Sequence, residues 1–243
     1  MEISERELRN LVKGIDDQHR AAMASFREDN EELIFGDLRH ETGPSRRKFL
    51  AGVGLGGAVL TIGSAILPMR RLVNPAFAQS TPSDGDIATF AASVEYAAVE
   101  AYKAAAASGK VKTKAVLDAA TAFAAQHQQH GDAFKAAGTN KGVTANQALL
   151  QAVSPQLMKA ADEKAVVEIA YGLENSAAAT YLFALGVLQT PAAYEAVASV
   201  LPVEAQHAIA LGFVLGKPLT DPTLMPAFEK LDGFVDPAKF PVS

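Results

Sequence analysis

Residues 94–102 read VEYAAVEAY and residues 173–181 read LENSAAATY. Laid over one another, they pair Glu95 with Glu174, Ala98 with Ala177 and Tyr102 with Tyr181. Each is followed by a second marked segment, HQQH at 127–130 and EAQH at 204–207. The offsets between the copies are 79 and 77 residues, equal to within a small loop difference. Similarity at a fixed interval is the mark of a duplicated unit. Each unit carries one Glu and then a polar pair spaced i, i+3, which a helix places on a single face.

The sequence around these marks is rich in Ala and Leu, with no long alternating run of β-branched residues, and reads as helices. The first begins near Asp84 or Asp86 and runs to Ser108-Gly109. The second starts after Thr113 and ends about Ala137, before Gly138. The third spans about Ala161 to Leu188. Thr190-Pro191 opens the fourth, since Pro is favoured at the first helical position; Pro202 falls inside it and is expected to bend it. The first and second helices, and the third and fourth, are joined by short links. Between the second and third lies GTNKGVTANQALLQAVSPQL, a long connection with helical content of its own. The expected fold is all-α: a four-helix bundle with a long crossover between helices 2 and 3. The tail from Lys217 holds five prolines and reads as extended chain along the bundle.

The front of the chain has a different character. Arg46-Arg47 stands directly before an apolar run from Phe49 to Leu67, which five glycines dilute; Arg70-Arg71 and then AFA before Gln79 follow. A basic start, an apolar stretch and a small-x-small site are the parts of an export signal. Ser45 to Leu50 resembles the twin-arginine signal S-R-R-x-F-L. That resemblance implies the twin-arginine export machinery as a partner, cleavage after Ala78, and delivery across the cytoplasmic membrane to the periplasm or cell envelope. The alternative is a membrane anchor through 49–67, long enough to span a bilayer once. The division expected is a charged extension at 1–44, the signal with its apolar segment at 45–78, the bundle at 79–216 and a Pro-rich tail at 217–243. Residues 1–44 have a helical apolar spacing (Leu8, Leu11, Ile15, Met23) but stand outside the expected bundle, with His19 and His40 expected to be solvated.

From Gln79 onward there are 11 Lys, no Arg and 16 Asp plus Glu, a net charge of −5. No basic face is available for a nucleic-acid partner. The chain has no cysteine, which excludes zinc-ribbon, rubredoxin and iron–sulfur sites. Any metal must be held by oxygen and nitrogen.

All three histidines beyond Gln79 belong to the duplicated marks. If each hairpin turns its marked face inward, Glu95, His127, His130, Glu174, Glu204 and His207 meet at the bundle centre. Burying such groups unpaired costs several kcal/mol per charge, so divalent cations are the natural complement. Glu on helix 1, a ligand-x-x-His on helix 2, Glu on helix 3 and E-x-x-H on helix 4 resemble the ferritin-like di-metal carboxylate superfamily, in particular the exported ferritin-like domains of bacteria, over residues 84–215. The resemblance implies Glu95 and Glu174 as single-Glu ligands, Glu204 as a bridging or chelating ligand, and His130 and His207 as ligands to one metal each. It implies iron or manganese, two ions or in the alternative one, and redox chemistry on oxygen or peroxide. His127 stands where the family has Glu. Three carboxylates in place of four favour divalent over trivalent ions, and His127 is read either as a ligand or as a hydrogen-bonded neighbour. Tyr102 and Tyr181 are read either as partners of the ligands or as packing, and Glu100 and Glu168 as solvated. The rival reading is a non-catalytic bundle with a degenerate site, serving binding or envelope structure; a storage cage is a third, and assembly into an oligomer stays open.

Overall fold

The computed structural model describes residues 4–17, 19–20, 82–218, 221, 224 and 233–242. His40, Met23, the arginine pairs, the apolar run 49–67 and Ala78 lie outside the described residues, and with them every expectation about the signal. The described elements are all helical: α1 (5–17, helical again at 19–20), α2 (Asp84–Ala107), α3 (Lys114–Ala137), α4 (Gln147–Lys159), α5 (Glu163–Leu185) and α6 (Pro191–Val214).

Each long helix starts where its chemistry requires. Ser83 caps α2 in a capping box, its Oγ accepting from the Asp86 amide while Asp86 accepts from the Ser83 amide. Asp162 caps α5, and Thr190 caps α6 with Pro191 in the first turn. Such caps contribute about 1 kcal/mol each by satisfying amides that have no intrahelical partner. The starts also tie the bundle together. Asp84 accepts hydrogen bonds from the amides of Gln189 and Thr190, both at 2.8 Å. Glu163 does the same for the amides of Lys112 and Thr113, at 2.6 and 2.8 Å. Asp84 with Glu163, and Gln189-Thr190 with Lys112-Thr113, repeat the two sequence offsets, so the duplication extends to the clamps at both ends of the bundle.

α2 packs mainly against α3 and α5 against α6, giving the two hairpins. α4 is the crossover and lies across α2. Asn146 fixes it: fully buried, it caps α4 through Leu149, and its side-chain amide donates to Ser93 Oγ (3.2 Å) and to the Phe240 carbonyl (2.9 Å). The tail thereby lies along the bundle, and the Val235 amide donates to Thr180 Oγ1 at 2.8 Å. α6 is long and apolar enough to cross a membrane, yet half of that stretch is buried in the bundle. Pro202 sits within it, two residues before Glu204.

One expectation is overturned. The segment set outside the fold contributes α1, which belongs to the same compact unit as the bundle. Leu8, Val12 and Ile15 are buried in one core with Tyr102, Phe123 and Leu211. His19, expected in solvent, is only 2 % exposed. It continues the stripe Leu8–Val12–Ile15 at helical spacing, so docking α1 carries its imidazole inward.

A second apolar core, including Ala92, Phe134, Tyr181 and Val200, fills the other part of the bundle. Between α2 and α3 the backbones approach at Gly131, where an added Cβ would stand 2.7 Å from the Tyr96 ring and 3.3 Å from the Glu95 Cβ. Gly131→Ala gains up to about 1 kcal/mol of helix propensity but forces this contact apart, and overpacking costs about 1–3 kcal/mol. The variant is expected to melt lower than the parent in a thermal scan; an equal or higher Tm contradicts the packing account.

Candidate metal centre

The four long helices each deliver their marked residue to one interior point. Glu95 comes from α2, His127 and His130 from α3, Glu174 from α5, and Glu204 and His207 from α6. All six are at most 2 % exposed. They form two overlapping sets, Glu95–His127–His130–Glu204 and His127–Glu174–Glu204–His207, in each of which one donor atom per residue lies within 4.8 Å of the others. Glu204 and His127 belong to both sets. The buried His/Glu groups are compatible with a two-metal site.

The distances assign positions within the cluster. His130 Nδ1 lies 3.0 Å from Glu204 Oε1 and 3.6 Å from Glu95 Oε2. His207 Nδ1 lies 3.3 Å from both Glu174 Oε2 and Glu204 Oε2. His127 spans the two halves, with Nδ1 at 2.7 Å from Glu95 Oε2 and Nε2 at 3.2 Å from Glu174 Oε1. Both nitrogens of His130 and both oxygens of Glu204 are buried without a hydrogen-bond partner. Orphaned atoms of this kind are costly, and a divalent ion would satisfy them. An all-nitrogen and oxygen donor set suits iron, manganese or zinc.

The tyrosines of the repeat turn out to do both things considered for them. Both are buried, and each donates its hydroxyl across the bundle to the glutamate of the other copy: Tyr102 to Glu174 and Tyr181 to Glu95. Glu100 and Glu168 are exposed, as expected. Sequence reasoning missed Gln126, which is fully buried and whose Oε1 accepts from His207 Nε2 at 2.6 Å. It missed Phe123 too, stacked on the His207 ring at 4.0 Å between centroids. Their only signal was position: Phe123 and Gln126 fall on the face of α3 that carries His127 and His130.

Burial alone would lower the histidines and raise the glutamates; the surrounding charges reverse both. Against burial, the carboxylates of Glu204, Glu174 and Glu95 hold His127 well above its ordinary value. Glu204 and Glu95 likewise bring His130 to about 9. His207 is also raised, burial being outweighed by Glu174. Glu95, against burial, is brought down to about 2 by His127 and then His130. Burial and the bonded carboxylates push Tyr102 and Tyr181 well above the usual tyrosine range, so both remain hydroxyl donors.

A cavity of about 50 Å³ abuts the cluster. Its walls include Ala97, Ala101, Val153 and Leu173, and it reaches Tyr102, His127 and Glu174.

Residues 83–217, more than half of the chain, match the family model described as a ferritin-like domain. No curated protein and no solved structure matches the chain.

The shifts set the pH profile of the metal-free chain. His130, raised from 6.5 to about 9, contributes stability that is complete below pH 6.5 and is lost as the pH rises through about 9. Glu95, lowered from 4.5 to about 2, contributes stability present above pH 4.5 and lost as the pH falls through about 2. His19, lowered by burial from 6.5 to about 4, contributes above pH 6.5 and loses its share as the pH falls through about 4. Apo protein is expected to be most stable near pH 6.5 and to melt progressively lower toward pH 9. Divalent ions should reverse the alkaline trend, because ligation needs unprotonated imidazole. Calorimetry with and without metal reads both slopes; an apo Tm that climbs from pH 7 to 9 contradicts the assignment.

Proposed function

The chain belongs to the ferritin-like domain family, and on that premise we propose that it is an exported metal protein whose centre holds iron or manganese and reacts with dioxygen. The observation that carries the metal is the convergence of three carboxylates and three imidazoles, with Glu204 and His130 within ion-pair distance of each other but not in hydrogen-bonding geometry. Two divalent ions held in such a site would each give up one electron, becoming trivalent, and so would supply a two-electron reduction of dioxygen. Glu95 and Glu174 offer carboxylates already oriented by tyrosine hydroxyls. His207 is held by Gln126 so that its Nδ1 faces the cluster. Phe123 stacks on it and keeps water away.

The cavity supports dioxygen over peroxide. Its walls are mostly Ala, Val and Leu side chains, with Tyr102, His127 and Glu174 at the cluster, and apolar cavities take up apolar molecules. At about 50 Å³ it suits a small molecule rather than an extended organic substrate. Export is supported by Arg46-Arg47, the apolar run 49–67 and the AFA site. The twin-arginine route carries proteins that are already folded, which suits a centre assembled before transport.

A second reading has its own observation. His127 occupies the position between Glu95 and Glu174 and can bond to both. Protonated, it supplies in the bundle the positive charge that a metal would otherwise bring, and the site is then a degenerate one in a non-catalytic bundle. Metal analysis after purification and reloading separates the two. The metal reading expects about one to two equivalents of Fe or Mn, abolished by Glu204→Ala with His207→Ala. His127→Glu should tighten binding by restoring the fourth carboxylate. Persistent substoichiometric metal in the parent, with full loading only in His127→Glu, favours the degenerate site.

The cavity has a separate test. Ala101→Phe fills it beside Tyr102, and is expected to slow oxygen consumption by the Fe(II)-loaded chain several-fold at unchanged metal content. An unaltered rate rules out this route.

A further inference from the structure

α1 reaches the back of two ligand histidines. His207 presents Nδ1 to Glu174 and Glu204, and its Nε2 donates to Gln126 Oε1 at 2.6 Å. Gln126 in turn donates from Nε2 to Asp16 Oδ1 on α1, at 3.2 Å. His130 presents Nδ1 to Glu95 and Glu204. Its ring meets that of His19 edge-on, with centroids 4.7 Å apart and planes at 79°. The Nε2 atoms of His130 and His19 are both buried without a hydrogen-bond partner. One helix, held by Leu8, Val12 and Ile15, therefore stands behind the histidine of each half of the centre.

A histidine that binds metal through one nitrogen carries a proton on the other. The group accepting that proton fixes the tautomer and the ring plane, and losing it typically weakens metal binding about 10- to 100-fold. Gln126, backed by Asp16, does this for His207. For His130, no acceptor stands at Nε2 among the described residues; the buried His19 ring, whose own Nε2 is unpartnered, packs edge-on against it. We propose that α1 is an integral part of the metal centre, in which His19 is the positioning residue for His130 and Asp16, through Gln126, that for His207. His19 itself stays outside both donor sets; it orients a ligand and does not replace one. The inference rests on the metal reading above.

The test titrates the full chain with Co(II), whose visible absorption band reports ligand geometry, with Kd taken from competition against a chelator. His19→Ala and Asp16→Ala are each expected to weaken Co(II) binding about 10- to 100-fold and to alter the band. Lys13→Ala, on the exposed side of α1, should change neither. His19→Gln should restore most of the affinity, since its amide oxygen can accept from His130 Nε2. Leu8→Asp, which undocks α1 without touching the polar contacts, should reproduce the loss. Far-UV circular dichroism confirms that each variant keeps the bundle. Kd within twofold of the parent and an unchanged band for both His19→Ala and Asp16→Ala overturn the proposal. Loss with Leu8→Asp but not with His19→Ala overturns the role of His19. A parent chain that takes up no Co(II), Fe(II) or Mn(II) overturns the metal reading itself.

Discussion

A carboxylate in the middle of an alanine-lined bundle cannot stay charged without a counter-charge, and there are three of them here. Water is excluded, so the counter-charge must come from within a few ångströms. The imidazoles, the cross-bundle tyrosine bonds and the orphaned atoms of His130 and Glu204 are different parts of the response to that constraint. Hydrophobic packing alone accounts for the two apolar cores, but not for a polar node held between residues of both. Replacing that node by apolar side chains would give a simpler bundle. Donors that converge in this way, some of them without hydrogen-bond partners, are groups that a metal ion would satisfy.

The duplication gives the node its shape. Tyr102 bonds Glu174 and Tyr181 bonds Glu95, so each copy completes the other. Asp84 and Glu163 clamp the opposite hairpin links in the same reciprocal way. Among the six marked residues the symmetry breaks at one pair, His127 opposite Glu204, and these are the residues shared by both donor sets. A two-fold framework with one unequal pair at its axis makes the two halves chemically distinct. Only the Glu204 side can offer a bidentate oxygen bridge; the His127 side offers two nitrogens pointing opposite ways.

Much of this was legible in the residues. The long helices begin and end close to where caps and glycines predicted, and the marks Glu95, His127–His130, Glu174 and Glu204–His207 converge because i, i+3 spacing leaves them no other face. What stayed hidden was long-range. Gln126 and Phe123 have meaning only once α6 places His207 against them. Asn146 reads as an ordinary loop residue until the crossover brings Ser93 and Phe240 to its side chain. His19 was expected in solvent because its neighbours Asp16, Asp17 and Arg20 are charged; the apolar spacing read there ran Leu8, Leu11, Ile15, Met23, whereas the buried stripe is Leu8, Val12, Ile15 and His19.

The docking of α1 has a consequence for the order of the chain in space. In the chain, α1 precedes the arginine pair and the apolar run 49–67 and the bundle follows them, yet α1 and the bundle belong to one compact unit. A cut after Ala78 would separate the two covalently. The meeting of His19 with His130 would then rest on the packing of Leu8, Val12 and Ile15 alone.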